Sequence, residues 1–72
     1  MIELLRSNDA VLLSFVEALL NEAGIQHALV DQNMSVMEGS IGILPRRILV
    51  PGSAHQEARR ILSEAGLESE LS

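Results

Sequence analysis

Cysteine, lysine, tryptophan and tyrosine are all absent from these 72 residues, and Phe15 is the only aromatic side chain. Without cysteine there is neither a disulfide framework nor a thiolate metal site. Without lysine, ten carboxylates stand against five arginines and the formal charge is −5. Such a chain is a poor nucleic-acid binder, because that binding rests on neutralising phosphates. The missing aromatics also remove the stacking platform that single-strand binders use. The same charge argues against docking on an anionic membrane, and no apolar run approaches the roughly 20 residues that span a bilayer. The opening MIELLRSND has neither the basic segment nor the apolar stretch of a secretory leader. The expectation is a cytoplasmic domain with no nucleic-acid, membrane, metal or cofactor partner.

What the chain does have is aliphatic surface. Hydrophobic residues make up 47% of it, enough to form a core rather than a disordered tail. Its length allows one domain, and a domain of this size buries only about 60% of its unfolded surface, so association is the usual remedy for a thin margin.

Ile2 to Leu5 or Arg6 reads as a strand with Ile2 and Leu4 on one face and Glu3 and Leu5 on the other. Ser7, Asn8 and Asp9 all suit a helix N-cap. The helix that follows, to about Ala23, gathers Leu12, Phe15, Val16, Leu19 and Ala23 on one side, with Leu13 and Leu20 on its flank and Ser14, Glu17 and Asn21 opposite. Gly24 is its left-handed stop. Ile25–Val30 reads as a second strand, and Asp31–Gly42 as a long connection. Ile43–Val50 is a third strand, entered at Pro45, which lacks an N–H and so suits a strand start or edge. Ser53 and Gln56 have capping-box spacing for a second helix. Ala54, Ala58, Ile61, Leu62 and Ala65 share a face of that helix, and Gly66 stops it. Both helices end Glu-Ala-Gly, at Glu22-Ala23-Gly24 and Glu64-Ala65-Gly66. The domain is therefore 1–66, with 67–72 a short tail, either an edge strand or a frayed end.

The order β-α-β-β-α, with a further β if the tail pairs, is that of an α+β ferredoxin-like two-layer sandwich. Both helices would lie on one face of a small sheet, with the first and third strands parallel neighbours at its centre.

The opening Ile2-Glu3-Leu4-Leu5-Arg6, the EALLNEAGI turn at Glu17–Ile25, the DQNMSVMEGSIGILPRR segment from Asp31 to Arg47 and the EARRILSEAG helix resemble a small bacterial family of unknown function. That family is labelled a "putative prokaryotic signal-transducing protein". The resemblance covers nearly the whole chain, and MSVMEGSIGILPRR carries most of its specificity. It implies a fold like that of the PII nitrogen regulators and a role in signalling, with no catalytic residues to carry over. Some members of the family append a cysteine-rich zinc ribbon, which this chain lacks.

Among residues able to carry chemistry, His27 and His55 are the only candidates for a neutral-pH general base. Neither stands at a diagnostic spacing from a nucleophile, and together they match no metal motif. Asp31 and Glu38 with loop carbonyls could hold a hard cation, but the spacing is not that of an EF-hand. Gly39-Ser40-Ile41-Gly42 has the look of a phosphate cradle without the complete motif, and its glycines equally suit a tight return into the strand. Met34, Val36 and Met37 make either an adaptable contact surface or packing onto the sheet. Arg46 and Arg47 offer planar forks for carboxylate or phosphate, or else pair across strands with Glu3 and protect a sheet edge. Arg59 and Arg60 read as intrahelical partners of nearby glutamates.

The candidate ligand-binding residues are thus Asp31, Gln32, Asn33, Glu38, Gly39, Ser40, Arg46 and Arg47. The leading expectation is a non-enzymatic binding or regulatory module. It would dimerise with itself through an uncovered sheet face carrying Leu5, Leu49, Ala28 and Val30, and would take a small anionic or peptidic ligand. The alternative is a small enzyme using His27 or His55 with a loop carboxylate.

Overall fold

The structure is a computed structural model that describes residues 1–31 and 45–72. It is a small α+β domain: β1 (Ile2–Ser7), α1 (Ala10–Glu22), β2 (Ala28–Asp31), β3 (Arg46–Val50) and α2 (His55–Glu64). Single 3-10 turns, Gly52–Ala54 and Glu68–Glu70, flank α2. Among the described residues, no helix is long and apolar enough to cross a membrane.

The helix ends show local chemistry deciding local structure. Asp9 caps α1, its Oδ1 accepting from the N–H of Val11 at 3.0 Å and of Leu12 at 3.2 Å, while the Ser7 hydroxyl oxygen accepts from the Asp9 N–H. Gly24 and Gly66 both hold positive φ, 74° and 85°. Each closes a Schellman motif: Ile25 N–H donates to the Leu20 carbonyl and Leu67 N–H to the Leu62 carbonyl, both at 2.9 Å. The repeated Glu-Ala-Gly endings therefore perform one task twice, turning an apolar side chain (Ile25, then Leu67) back onto the core. The entry to α2 differs from expectation. Ser53 and Gln56 form no capping box, and the helix is opened by the 3-10 turn with Ala54 at the N-cap and no side-chain bond.

The sheet order is β1-β3-β2. β1 and β3 are neighbours as expected, but they run antiparallel, not parallel. The reason is topological: β2 and β3 pair antiparallel, and β1 and β2, joined through α1, run the same way on either side of β3. β2 begins at Ala28 rather than Ile25, because Ile25 is engaged in the α1 stop.

β1 carries the main irregularity. Glu3 pairs with Leu49 and Leu5 with Ile48, so two steps on β1 face one on β3 and Leu4 is the extra residue of a β-bulge. Regular alternation would point Leu5 away from the helices. The bulge moves it to the face of Ile48 and Val50, and Leu4 and Leu5 are both fully buried. Into this core α1 sends Leu13, Val16 and Leu20, and α2 sends Ala58 and Leu62, so both helices cover one face of the sheet. The apolar arc of α1 is thus centred on its expected flank: Leu12 and Leu19 sit beside the core, Ala23 is exposed, and Phe15 is left 47% exposed. Each fully buried aliphatic side chain contributes about 1.5–3 kcal/mol.

The tail is neither a regular edge strand nor frayed. After its 3-10 turn, Leu71 forms a single antiparallel bridge with Leu5 on the β1 edge away from β3, and the Ser72 N–H donates to the Leu4 carbonyl at 3.0 Å.

Candidate functional site

The helices leave one side of the sheet to other uses. Strand alternation and the bulge decide which residues lie there. Because Ile48 and Val50 face the core, Arg47 and Leu49 face away. Antiparallel partners share a face, which adds Arg6 and Val30 beside Arg47, and Glu3 and Ala28 beside Leu49. The result is two rungs with a clear division. On the β1 side they carry Arg6 and Glu3; on the β2 side they carry the aliphatic Val30 and Ala28. Arg47 and Leu49 run between them on the central strand.

The charged half is a cluster around one carboxylate. Arg6 donates from an Nη to Glu3 Oε1 at 3.1 Å, and an Nη of Arg47 stands 3.7 Å from the same oxygen. That second distance is an ion pair but too long for a hydrogen bond. The other oxygen, Oε2, accepts from the Ser72 hydroxyl at 2.6 Å. Ser72 is held in turn by Arg59, which donates to its carbonyl at 2.9 Å. The Ser72 hydrogen bond first, and the Arg6 hydrogen bond after it, hold the Glu3 carboxyl below the ordinary carboxylate range, against a smaller opposing effect of burial. Arg47 is less well provided for. Its Nε is the one buried side-chain nitrogen or oxygen among the described residues with no hydrogen-bond partner, and an orphaned buried donor costs about 1–3 kcal/mol.

Arg6 joins this cluster only because of the bulge. Residues three apart on a regular strand point to opposite faces, whereas here Glu3 and Arg6 share one. Sequence patterning could anticipate the pairing of an arginine with Glu3, and Arg47 fulfils it, but nothing in the order of residues marks Leu4 as the inserted position.

The other sequence candidates separate. Arg46 and Arg47 are adjacent on β3 and so face opposite ways. Arg46 sits on the rung of Ser7 and Asp31, on the helix-facing side. Asp31 is placed by its backbone as the last residue of β2. Gln32, Asn33, Glu38, Gly39 and Ser40, with Met34, Val36 and Met37, lie outside the described residues. Arg60 brackets Glu57 and Glu64 as its spacing foretold, and both ion pairs raise its already high pKa. Arg59 departs from expectation by reaching Ser72 instead of a helix neighbour.

His27 precedes β2 and does not stand within it. Its Nε2 lies 3.2 Å from Glu17 Oε2 of α1, and its Nδ1 lies 3.2 Å from the Ile25 carbonyl. Both partners are acceptors, so a neutral ring can donate to only one of them. The carboxylate it meets belongs to a helix and not to the loop, and the ring lies between α1 and the chain entering β2 with an acceptor facing each nitrogen. His55 is the first residue of α2 and is partly buried.

Fold and surface together define a class: a small α+β domain whose antiparallel sheet is packed by helices on one side and bears a divided charged and aliphatic face on the other. The chain belongs to the family described as "Putative prokaryotic signal transducing protein", whose profile matches residues 1–66. No curated protein matches it.

Proposed function

We propose that this chain is a non-enzymatic regulatory binding module of ferredoxin-like topology, which works in the cytoplasm as a homodimer and reads an acidic ligand. The observation that carries this reading is the division of the outer sheet face. Ala28, Val30 and Leu49 make its aliphatic half, and Glu3, Arg6 and Arg47 its charged half.

The partner on the aliphatic half is a second copy of the chain. Two copies at −5 each repel over most of their surfaces. This face is different: among the described residues it carries one carboxylate and two guanidiniums, so it lacks the net negative charge that keeps copies apart elsewhere. The aliphatic strip is shorter than the sequence suggested, since Leu5 lies inside, and the dimer is correspondingly weak. The charged half stays at the rim, accessible to an anion. The ferredoxin-like assignment draws support from the β1-β3-β2 order and from the Leu71 bridge on the far edge of β1, where a fourth strand would lie. The signalling role draws support from the family's description.

Sedimentation equilibrium of the wild type and of Leu49→Glu tests the assembly. Leu49 faces outward, so the variant folds, and the reading expects it to sediment as monomer where the wild type shows concentration-dependent association. A wild type that is monomeric at every concentration the optics can follow contradicts it.

A further inference from the structure

We propose that Arg6 and Arg47 form a binding site for a carboxylate or phosphate group, and that Glu3 occupies this site as an internal anion when no ligand is present. The proposal deepens the reading of the outer face as a recognition surface, and rests on it.

Three observations converge. First, Arg6 and Arg47 are direct cross-strand partners on one face of the sheet. Like charges so placed repel, and what holds them together is a third group, Glu3. Second, that group is shared and incomplete: one oxygen serves both guanidiniums, at 3.1 and 3.7 Å, while the other is drawn away by Ser72 at 2.6 Å. Among the described residues, two positive charges thus face one negative, in a chain whose formal charge is −5. Third, Arg47 keeps an unmet donor at Nε. A tetrahedral or planar oxyanion can satisfy two forks at once with two oxygens, and a phosphate brings more than one charge, where the side chain of Glu3 offers the arginines a single oxygen.

Glu3 also connects this site to the tail. The same carboxylate that faces the arginines accepts from Ser72, and Ser72 is bound through its backbone to Leu4 and Arg59. An anion that takes the place of Glu3 therefore changes the surroundings of Leu71 and Ser72, on the opposite edge of β1 from β3. Occupancy of the site is thereby passed to the tail that contacts it, which is what a sensing module requires.

The test titrates inorganic phosphate, and separately acetate, into the isotope-labelled full chain at constant ionic strength, following backbone amides and arginine side-chain signals. Sodium chloride serves as the control for unspecific charge effects. Saturable shifts are expected at Glu3, Arg6 and Arg47, with accompanying shifts at Leu71 and Ser72. Whichever of phosphate and acetate saturates first names the chemistry preferred. Arg47→Gln and Arg6→Gln, each checked for a native amide spectrum, should lose saturation. Glu3→Gln, which removes the internal competitor's charge, should bind about two- to fivefold more tightly, the range that surface ion pairs span. Saturation that survives Arg47→Gln, or Glu3→Gln binding no better than wild type, overturns the proposal, as does a wild type that shows no saturable shift with either anion. Self-association of that same wild type would leave the dimer reading standing, so the two can fail separately.

Discussion

Leu5 is the residue on which the bulge in β1 can be tested. With regular alternation it would sit beside Glu3 on the outer face; with Leu4 inserted it is fully buried against Ile48. Leu49, the neighbouring leucine on β3 and the partner of Glu3, faces outward and is partly buried. Truncating a fully buried leucine to alanine costs about 2–5 kcal/mol, the transfer of the lost methyl groups plus the cavity left behind. The outward leucine has less area to lose and leaves no enclosed void, so about 1 kcal/mol is expected there. For a chain of 72 residues the whole folding free energy is about 4–11 kcal/mol. Leu5→Ala therefore removes about half of it at the middle of both ranges, and lowers the melting temperature by about 4–8 °C for each kcal/mol lost. Urea unfolding followed by far-ultraviolet circular dichroism measures both variants against wild type, with an unchanged denaturant slope as the check that one folded state is being compared. Equal costs at the two positions, or a larger cost at Leu49, would refute the bulge and with it the placement of Arg6 beside Glu3.

Two further outcomes follow from local geometry. Gly24→Ala and Gly66→Ala should each destabilise by about 1–2 kcal/mol, since both glycines hold left-handed backbone. A Cβ at either would meet nothing within 4 Å, so the cost is conformational and not steric; a synthetic chain with D-alanine at these positions should lose nothing, and an equal loss with D-alanine would contradict the assignment. The second outcome concerns acid. Glu3 is held below its unfolded value near 4.5, so its contribution to stability is present above that value and is lost as pH falls through the lower, folded one. Glu3→Gln should accordingly flatten the pH dependence of the urea midpoint on the acid side of 4.5, and an unchanged acid limb would count against the Ser72 and Arg6 hydrogen bonds.

The parts of this fold that obey local rules were legible in the sequence. Asp9 belonged to a short run of N-cap residues, both glycine stops hold the left-handed φ expected of them, and Arg60 sits between glutamates three and four residues away. What was not legible depends on tertiary pairing. A bulge is an offset between two strands, so Leu4 looks like any alternating residue until β3 is laid beside it. The rotation of the α1 core face toward Leu13 and Leu20 has the same origin: the helix presents a broad apolar arc, and only docking on the sheet selects its centre. The direction of β3 relative to β1 follows from the antiparallel pairing of β2 with β3 and not from either strand's own residues. At the candidate site, the pairing of Arg47 with Glu3 was within reach of patterning. The addition of Arg6 and Ser72 was not, since one depends on the bulge and the other on a tail that folds back across β1.

We propose that recognition takes place on the sheet face turned away from the helices. Amide spectra of the labelled chain across a wide dilution series test it most directly, because they locate contacts between copies residue by residue. Concentration-dependent shifts are expected at Ala28, Val30, Arg47 and Leu49, with α1 and α2 unchanged. Shifts centred instead on Val11 and Phe15, the exposed apolar residues of α1, or no shifts at any concentration, would contradict it.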